Sequence, residues 1–268
     1  DWENDTVTEL WHRMANEVFH ASPAIGDING DGRPEAIIST GANWLSETGD
    51  ATDHNKVFAF HLDDGSTVPG WPQSAGGTVK ASPVLGDLDG DGRPEVIAGS
   101  WDRKVYAWHG DGSLYWSVAP EFVHGENVFT ARITSSPIIA DLDGDGDADI
   151  VFSNNVEPAA IVENQTKQTG NNIRVKLIGT QNNRDAIGCS ITLHCSIGKL
   201  LRVTKGGASY LSQNDKCLHW ALPSDATIDH LSIKWPNGHI QEITDVPTDK
   251  PLVVIQPTPI TTVVTTTQ

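Results

Sequence analysis

The sequence predicts an all-β protein: three propeller-type blades, which make a partial β-propeller, and a small β-sandwich-like C-terminal domain. Three observations support this prediction: an acidic phrase that occurs three times, alternating apolar strands after each copy, and a change of composition near Asn171. The chain has 268 residues, of which 38% are hydrophobic. That is enough for one large β domain or two small ones with packed cores.

The repeated phrase reads ASPAIGDINGDGRPEAIIST from Ala21, ASPVLGDLDGDGRPEVIAGS from Ala81 and SSPIIADLDGDGDADIVFSN from Ser135. Oxygen-bearing side chains occupy the first, third, fifth and ninth positions of each loop, and glycines at the fourth and sixth permit a positive φ. With a backbone carbonyl at the seventh position, this spacing supplies most of the six to eight oxygen ligands that calcium takes. The predicted ligands of three calcium ions are Asp27, Asn29, Asp31, Arg33 and Glu35; Asp87, Asp89, Asp91, Arg93 and Glu95; and Asp141, Asp143, Asp145, Asp147 and Asp149.

These loops differ from an EF-hand, which requires a bidentate Glu at the twelfth position. Ile38, Ala98 and Phe152 stand there instead. The ninth-position acid leads directly into EAIIST, EVIAGS or DIVFSN, which read as buried strands. The loops are therefore expected between strands. Ordinary Asp-Gly turns with solvated carboxylates are the alternative, and the threefold occurrence disfavours it.

The repeat extends beyond the acidic loop. KVFAFHLDDGSTVPGWP and KVYAWHGDGSLYW each read as a strand, a turn and a further strand, and a unit of roughly 55–60 residues with about four strands is typical of a propeller blade. The loop and its Ser-Pro lead-in resemble the FG-GAP/VCBS repeats of integrin-α-like β-propellers, across residues 17–160. The resemblance implies calcium at the blade edge. Closed propellers have about four to eight blades, so three would leave sheet edges unpaired.

Short strands without acidic loops follow Asn171, and Pro236-Asn237-Gly238 marks a hairpin. NNRDAIG, GASYLSQNDKCLHWAL and IKWPNGHIQEI resemble the ASPIC/UnbV domain across residues 171–256, a resemblance that implies no catalytic activity. The predicted organisation is an N-terminal extension at 1–16, the repeat region at 17–170, the ASPIC/UnbV-like β domain at 171–256 and a Thr-rich strand or linker at 257–268.

The formal net charge is −17, which argues against nucleic acid or an anionic membrane as a partner. No apolar stretch is long enough for a spanning helix. The chain begins at Asp1 without a cationic and apolar leader, which is the pattern expected of a mature segment. Calcium loops of low affinity suit millimolar calcium outside the cell, so an extracellular, secreted or cell-surface location is expected.

Two kinds of covalent modification are candidates. Cys189 and Cys195 are six residues apart on an apparent strand, roughly 20 Å if straight, which is too far for a disulfide between them. Cys217 would have to be one partner of a single bridge. Asn4 and Asn164 each begin an Asn-x-Thr sequon and are candidate glycosylation sites.

No catalytic motif is evident, so the chain is predicted not to be an enzyme. The ten histidines show no recognised metal spacing, and Ser209 lacks the second glycine of a nucleophile elbow. His20, His61 and His109 are expected at the surface or at strand edges.

Two binding functions remain open. A secreted structural or adhesion protein is favoured, in which ITTVVTTTQ, after Pro257 and Pro259, adds as a strand to a neighbouring copy and so links protomers into an oligomer or filament. The same tail also reads as a linker. The alternative function is a calcium-dependent lectin, with Trp44 and Trp101 as candidates for stacking on sugar rings. Trp71, Trp108 and Trp116 are expected in the core.

Overall fold

A computed structural model of the protein describes residues 9–15, 17–41, 54–124, 127–142, 147–153, 159–165, 171–181, 183–206, 216–248 and 250–258. These residues form twenty β-strands and contain no helix, which confirms the all-β prediction. In this part of the chain there is accordingly no helix long and apolar enough to cross a membrane.

The acidic repeats build three antiparallel sheets in which strands follow one another in chain order. In each sheet the strand after the acidic loop is apolar and β-branched, as the sequence predicts. The first sheet contains β1 (Ala24–Gly26), β2 (Glu35–Ser39), β3 (Lys56–His61) and β4 (Gln73–Ser74); the second contains β5 (Val84–Gly86), β6 (Glu95–Gly99), β7 (Val105–Trp108) and β8 (Leu114–Val118). A hairpin of β9 (Glu121–His124) and β10 (Asn127–Thr130) precedes the third sheet, which contains β11 (Ile138–Ala140), β12 (Asp149–Phe152) and β13 (Ala160–Val162).

The remaining strands form two sheets without acidic loops. The fourth sheet has the order β17-β14-β20 and includes the parallel pair β14 and β20, and the fifth has the order β16-β15-β18-β19. Their strands are β14 (Asn171–Ile178), β15 (Ser190–Cys195), β16 (Gly198–Val203), β17 (Cys217–Leu222), β18 (Ile228–Lys234), β19 (Ile240–Ile243) and β20 (Leu252–Ile255).

The five larger sheets are arranged as a five-bladed β-propeller, so the predicted count of three blades is wrong. The number of blades predicted from the sequence was the number of acidic loops, because the loop was the only mark by which a blade was recognised. The fourth and fifth sheets carry no such loop, and their strands do not follow in simple chain order. They share one apolar core, in which Trp220 and Trp235 are fully buried.

Neighbouring repeat sheets pack face to face. The first and second sheets share a core that includes Ile37, Val57 and Trp108, and the second and third share another around Ile97 and Ile150. Trp71 and Trp108 lie in the first of these cores, with ring centroids 6.3 Å apart, and Trp116 packs against the second. The predicted core positions of Trp71 and Trp108 are confirmed, whereas Trp116 is only half-buried.

The first strands of the repeat sheets lie side by side, and one of them contacts a C-terminal sheet. β1 lies against β5, β5 against β11, and β16 against β1. A cavity of about 150 Å³ lies among these strands, with Gly26, Gly86 and Ala140 on one side and Arg202 and His219 on the other. Part of the sheet surface that three isolated blades would leave exposed is therefore covered within the chain itself.

The cysteines do not form the expected disulfide with Cys217. All three lie in described segments, and none is bridged. Cys189 and Cys195 are buried in the core shared by the fourth and fifth sheets, where burial raises the pKa of the Cys189 thiol to about 11. Cys195 Sγ instead donates to the carbonyl of Gly198, 3.3 Å away.

We predict that Trp108→Ala destabilises the repeat region by ~3–5 kcal/mol, because it leaves a large cavity between two sheets. Urea unfolding followed by circular dichroism measures this loss. Leu114→Ala in the same sheet, where the side chain is 54% exposed, is the control and should change stability by less than ~0.5 kcal/mol. Equal effects of the two substitutions would contradict the assignment of Trp108 to a core on which the sheets depend.

Candidate calcium-binding loops

Each acidic loop joins the first and second strands of a repeat sheet. The strands on either side have the same register in all three copies, because the ninth-position acid pairs with the residue just before the loop: Gly26 with Glu35, Gly86 with Glu95 and Ala140 with Asp149. The loops therefore leave and re-enter their sheets at equivalent points. The predicted location between strands is confirmed.

The first-position carboxylate holds the loop in its turn. Both oxygens of Asp87 accept backbone hydrogen bonds, one from Gly90 N at 2.9 Å and one from Gly92 N at 3.0 Å. Asp27 does the same in the first loop, at 2.7 and 2.9 Å. Gly90 and Gly92 have φ of 80° and 87°, the left-handed conformation that explains why glycine stands at the fourth and sixth positions.

Side chains at the third and fifth positions also accept from the backbone, which turns them into the loop. Asp91 N donates to Asp89 Oδ1 at 3.0 Å, and Arg93 N donates to Asp91 Oδ1 at 2.7 Å. In the first loop the equivalent bonds reach Asn29 and Asp31 at 2.9 and 2.8 Å. Each carboxylate keeps lone pairs for a cation, because an ionised carboxylate offers about four acceptor sites.

The ninth-position acid closes each loop from the following strand. Glu95 Oε2 accepts from Leu88 N at 2.7 Å, and Glu35 Oε2 accepts from Ile28 N at 2.9 Å. Asp149 Oδ2 accepts from Leu142 N at 2.8 Å in the third copy. All three acids are at most 1% exposed.

Two histidines complete the first two loops, and the sequence analysis did not assign them there. His61 Nδ1 lies 3.0 Å from Glu35 Oε1, and His109 Nδ1 lies 3.1 Å from Glu95 Oε1. His61 is buried, so its expected location at the surface or a strand edge is wrong; His109 is half-buried, and His20 is exposed as expected. The signal was present, because KVFAFH and KVYAWH both end in histidine.

The third loop is only partly described. Asp143 and Asp145 lie outside the described residues, whereas Asp147 and Asp149 are buried. Glu163 stands in the register where the other copies have histidine, and the next residue, Asn164, donates its backbone N–H to Asp149 Oδ1 at 2.9 Å. The backbone carbonyls of Arg33, Arg93 and Asp147 stay predicted ligands.

The carboxyl groups of these loops are held close together in a partly desolvated environment. Burial raises the pKa of Glu95 to about 9 and those of Asp87 and Glu35 to about 7, and neighbouring carboxylates contribute to each increase. Burial also raises the pKa of Asp27 and Asp91. Such groups favour either a proton or a bound cation.

The oxygen atoms are spaced to fit one calcium ion. Ligand atoms of Asp87, Asp89 and Asp91 all lie within 4.8 Å of one another, which matches oxygens on a sphere at the roughly 2.3–2.6 Å bond lengths of calcium. Asp31, Glu35 and His61 form a similar group in the first loop, and Asp89, Glu95 and His109 form another in the second. The residues present therefore fit the predicted ion.

The second loop also contacts the C-terminal sheets. Ala221 N on β17 donates to Asp87 Oδ2 at 3.2 Å, and Arg202 Nη2 on β16 donates to the carbonyl of Gly92 at 3.2 Å. In the third copy, Arg174 Nη1 on β14 lies 3.2 Å from Asp141 Oδ2. The first-position acids of the second and third loops thus contact strands of the fourth sheet.

Other candidate residues are placed as follows. Lys80 Nζ and Arg132 Cζ lie 4.3 and 5.4 Å from the ring centroid of Trp101, and they occupy ring surface that stacking on a sugar would need. Trp44 and Asn4 lie outside the described residues. Asn164 is half-buried and donates through Nδ2 to the carbonyl of Leu88 at 3.0 Å. Glycosylation at Asn4 and Asn164 stays a prediction.

The five sheets and the acidic loops together define a β-propeller-type repeat protein. The family model for the FG-GAP-like repeat matches residues 87–152, and the model for ASPIC and UnbV matches residues 179–260. The chain thus contains an FG-GAP-like repeat followed by an ASPIC and UnbV segment, as the sequence resemblance indicated. No curated protein matches the chain.

Two solved structures are distantly similar. BamB from Moraxella catarrhalis shares 13% identity at a TM-score of 0.32, over 78% of this chain and 55% of that one. The V. cholerae biofilm matrix protein Bap1 shares 14% identity at a TM-score of 0.22, over 84% of this chain and 40% of that one. This chain spans about half the length of these proteins or less. Neither likeness is close enough to bear on function.

We predict that, in EDTA, stability falls as the pH rises from 5 to 8. The raised carboxyl pKa values mean that the folded chain binds protons more tightly than the unfolded chain, whose carboxyls titrate near ~4. The stabilisation is therefore complete below that value and is lost as the pH rises through about 7 for Asp87 and Glu35 and towards about 9 for Glu95. Urea midpoints at pH 5, 6, 7 and 8 measure the slope.

Glu95→Gln is the control for this slope, because it removes one raised carboxyl and should flatten the dependence on pH. Burial lowers the pKa of Lys205 to about 8, so this residue changes charge at or above the upper limit of the range from pH 5 to 8. A midpoint that rises steadily from pH 5 to 8 without calcium would show that these carboxyls are not desolvated.

Proposed function

We propose that this chain is an extracellular, calcium-stabilised structural or adhesion protein without catalytic activity. The observation that carries the proposal is the repetition of one loop geometry at the same register in three packed sheets. A catalytic centre needs one constellation, whereas three copies of the same cation cage at equivalent joints are what a stabilised scaffold requires. The FG-GAP-like repeat supports the calcium part of this proposal.

Calcium binding would be favoured mainly by the clustered, buried carboxylates of the loops, whose mutual repulsion is not offset when no ion is bound. Three ions would reduce the formal net charge of −17 by six units, and each would replace repulsion among buried carboxylates by attraction. Occupied loops would also fix the joint between the first two strands of a sheet. The histidines on Glu35 and Glu95 would orient the closing carboxylate toward the ion, as outer-shell partners do at other metal sites.

We further propose that calcium stabilises the packing of the C-terminal sheets on the repeats. Asp87 is at once a predicted ligand and the acceptor of the Ala221 amide. Arg202 is close to the same loop, and burial lowers its pKa while Asp87 and Asp27 oppose that effect. An ion that orders the second loop would therefore also fix the surface that β16 and β17 contact.

The proposal also includes self-assembly of the protein. The segment Ile260–Gln268 lies outside the described residues, and we propose that it pairs as a strand with another copy. Among the described strands, β13 and β19 lie at sheet edges and carry exposed apolar residues, Ile161 at 65% and Ile240 at 57%. A tail on one surface and an acceptor edge on another make a heterologous contact, which builds rings or open filaments.

We predict that Asp91→Asn has opposite effects with and without calcium. Asparagine keeps an oxygen for the Arg93 amide but removes a charge that Asp89 and burial oppose. In EDTA the variant should therefore melt a few degrees above the wild type. In calcium it should melt below it and bind two ions instead of three, losing ~2.7 kcal/mol of stabilisation if calcium exceeds the dissociation constant a hundredfold.

Calorimetric titration and thermal melts test this, with Asp225→Asn as a control that makes the same charge change at an exposed residue of a C-terminal turn. The control should leave both the stoichiometry and the sign of the melting shifts unchanged. Absence of calcium binding by the wild type at millimolar concentration, or an equal number of ions bound by wild type and Asp91→Asn, would refute the assignment of the loops.

We predict that deleting residues 261–268 converts a polymerising protein into a monomer without changing its melting temperature. Light scattering and negative-stain imaging of the intact and shortened chains in calcium measure this. A chain of the same length with Val263 and Val264 replaced by proline is the matched control, and it should also stay monomeric because proline blocks strand pairing. If the intact chain is itself monomeric, the tail is a linker and self-assembly is excluded.

A further inference from the structure

The outer face of the fifth sheet carries a pair of histidines that none of the acidic loops involves. His194 on β15 lies directly opposite His230 on β18. Their rings are stacked, with centroids 4.1 Å apart and planes 15° apart. Leu193 and Leu231, the preceding pair in the register, are buried. Because side chains alternate along a strand, the two imidazoles face away from the core.

A carboxylate from the next strand adjoins this pair. Glu242 Oε2 on β19 lies 3.5 Å from His230 Nε2. The other oxygen, Glu242 Oε1, accepts a hydrogen bond from Ser232 Oγ at 2.8 Å. Ser232 and Glu242 are paired in the register, so three adjacent strands place two imidazoles and one oriented carboxylate side by side on one face.

The separation of the nitrogen and the oxygen is close to what a shared metal ion requires. Two ligands bound at 2.0–2.1 Å with tetrahedral angles are roughly 3.3 Å apart. The stacked rings would have to unstack to share an ion, because their nitrogen lone pairs lie in two nearly parallel planes. The torsion about Cβ–Cγ of histidine is broad, so rotation of the two rings can turn a nitrogen of His194 and one of His230 toward one point. The backbone need not move, because a directly opposite cross-strand pair already places the side chains within reach.

The electrostatic environment of His194 is also compatible with metal binding. Burial lowers the pKa of His194, and His230 and Lys199 lower it further, although Glu242 and Asp229 oppose them. A histidine with a lowered pKa is neutral at pH 7 and has a free lone pair. Glu242 and Asp229 supply negative charge that offsets Lys199.

We propose that His194, His230 and Glu242 form a binding site for one divalent transition-metal ion, such as zinc or copper(II), on the outer face of the fifth sheet. Imidazole nitrogens select such ions, whereas calcium prefers oxygen. The site is thus chemically distinct from the acidic loops and does not depend on the proposed function. Ser232 positions Glu242 and does not touch the ion.

The test is a titration of the full chain with copper(II) in an excess of calcium, which occupies the acidic loops. Calorimetry should give one tight ion per chain. Electron paramagnetic resonance of the copper protein should show coupling to two imidazole nitrogens. His194→Ala and His230→Ala should each weaken binding at least tenfold and remove one nitrogen from the spectrum, and Ser232→Ala should weaken it about tenfold, as losses of outer-shell partners do.

His239→Ala is the matched control, because His239 is an exposed histidine in the turn between β18 and β19 of the same sheet. It should leave affinity and spectrum unchanged. Should an alanine variant fold poorly, His230→Gln keeps the size and polarity of the side chain and must still lose the nitrogen signal. The proposal would be overturned if copper still binds after both His194→Ala and His230→Ala. It would also be overturned if His109→Ala or His239→Ala abolishes binding.

Discussion

The acidic loops and the register of the strands beside them depend on a buried carboxylate that accepts a hydrogen bond from the backbone near the start of its own loop. Leu88 N reaches Glu95 Oε2 across seven residues, and the first and third loops repeat the bond. It sets the loop length and the strand register and places an acid where a neutral residue would be easier to bury. Burying a charge is costly unless it is paired, so the same feature that fixes the fold also creates the need for a cation.

The C-terminal sheets share in this arrangement. The guanidinium of Arg202 on β16 and the backbone amide of Ala221 on β17 both donate to the second loop. This loop therefore belongs to the second sheet and also forms part of the contact between the repeats and the C-terminal sheets. The acid at Asp87 accepts three backbone hydrogen bonds, two from its own loop and one from β17. The free energy of ordering the second loop is therefore coupled to the free energy of packing the C-terminal sheets on the repeats.

The sequence predicted the parts of the structure that repeat and missed those that do not. The positive φ of Gly90 and Gly92 followed from a spacing that only a tight turn explains. The blade count was wrong because the fourth and fifth sheets have no loop to mark them, and their strand orders bring together segments far apart in the chain. Pairing of that kind depends on packing across the whole molecule.

Burial and contacts between distant residues explain the other differences. His61 was expected at the surface or a strand edge. The histidine that ends both KVFAFH and KVYAWH marks an equivalent position, but the carboxylate that His61 contacts is 26 residues away in sequence. The pairing of His194 with His230 likewise required the register of two strands that are not consecutive. The cysteines illustrate the converse, because their spacing allowed a bridge with Cys217 that the packing of the C-terminal core does not make.

The parallel pairing of β14 and β20 has a mechanical consequence. Chain from the repeats enters at the beginning of β14, and the C-terminal tail leaves at the end of β20. Tension along the chain would therefore pull the two strands past each other in opposite directions. In this shear geometry the hydrogen bonds of the ladder are loaded together, not opened one at a time as in a hairpin. A protein that bears load between anchored ends would resist extension at this pair of strands.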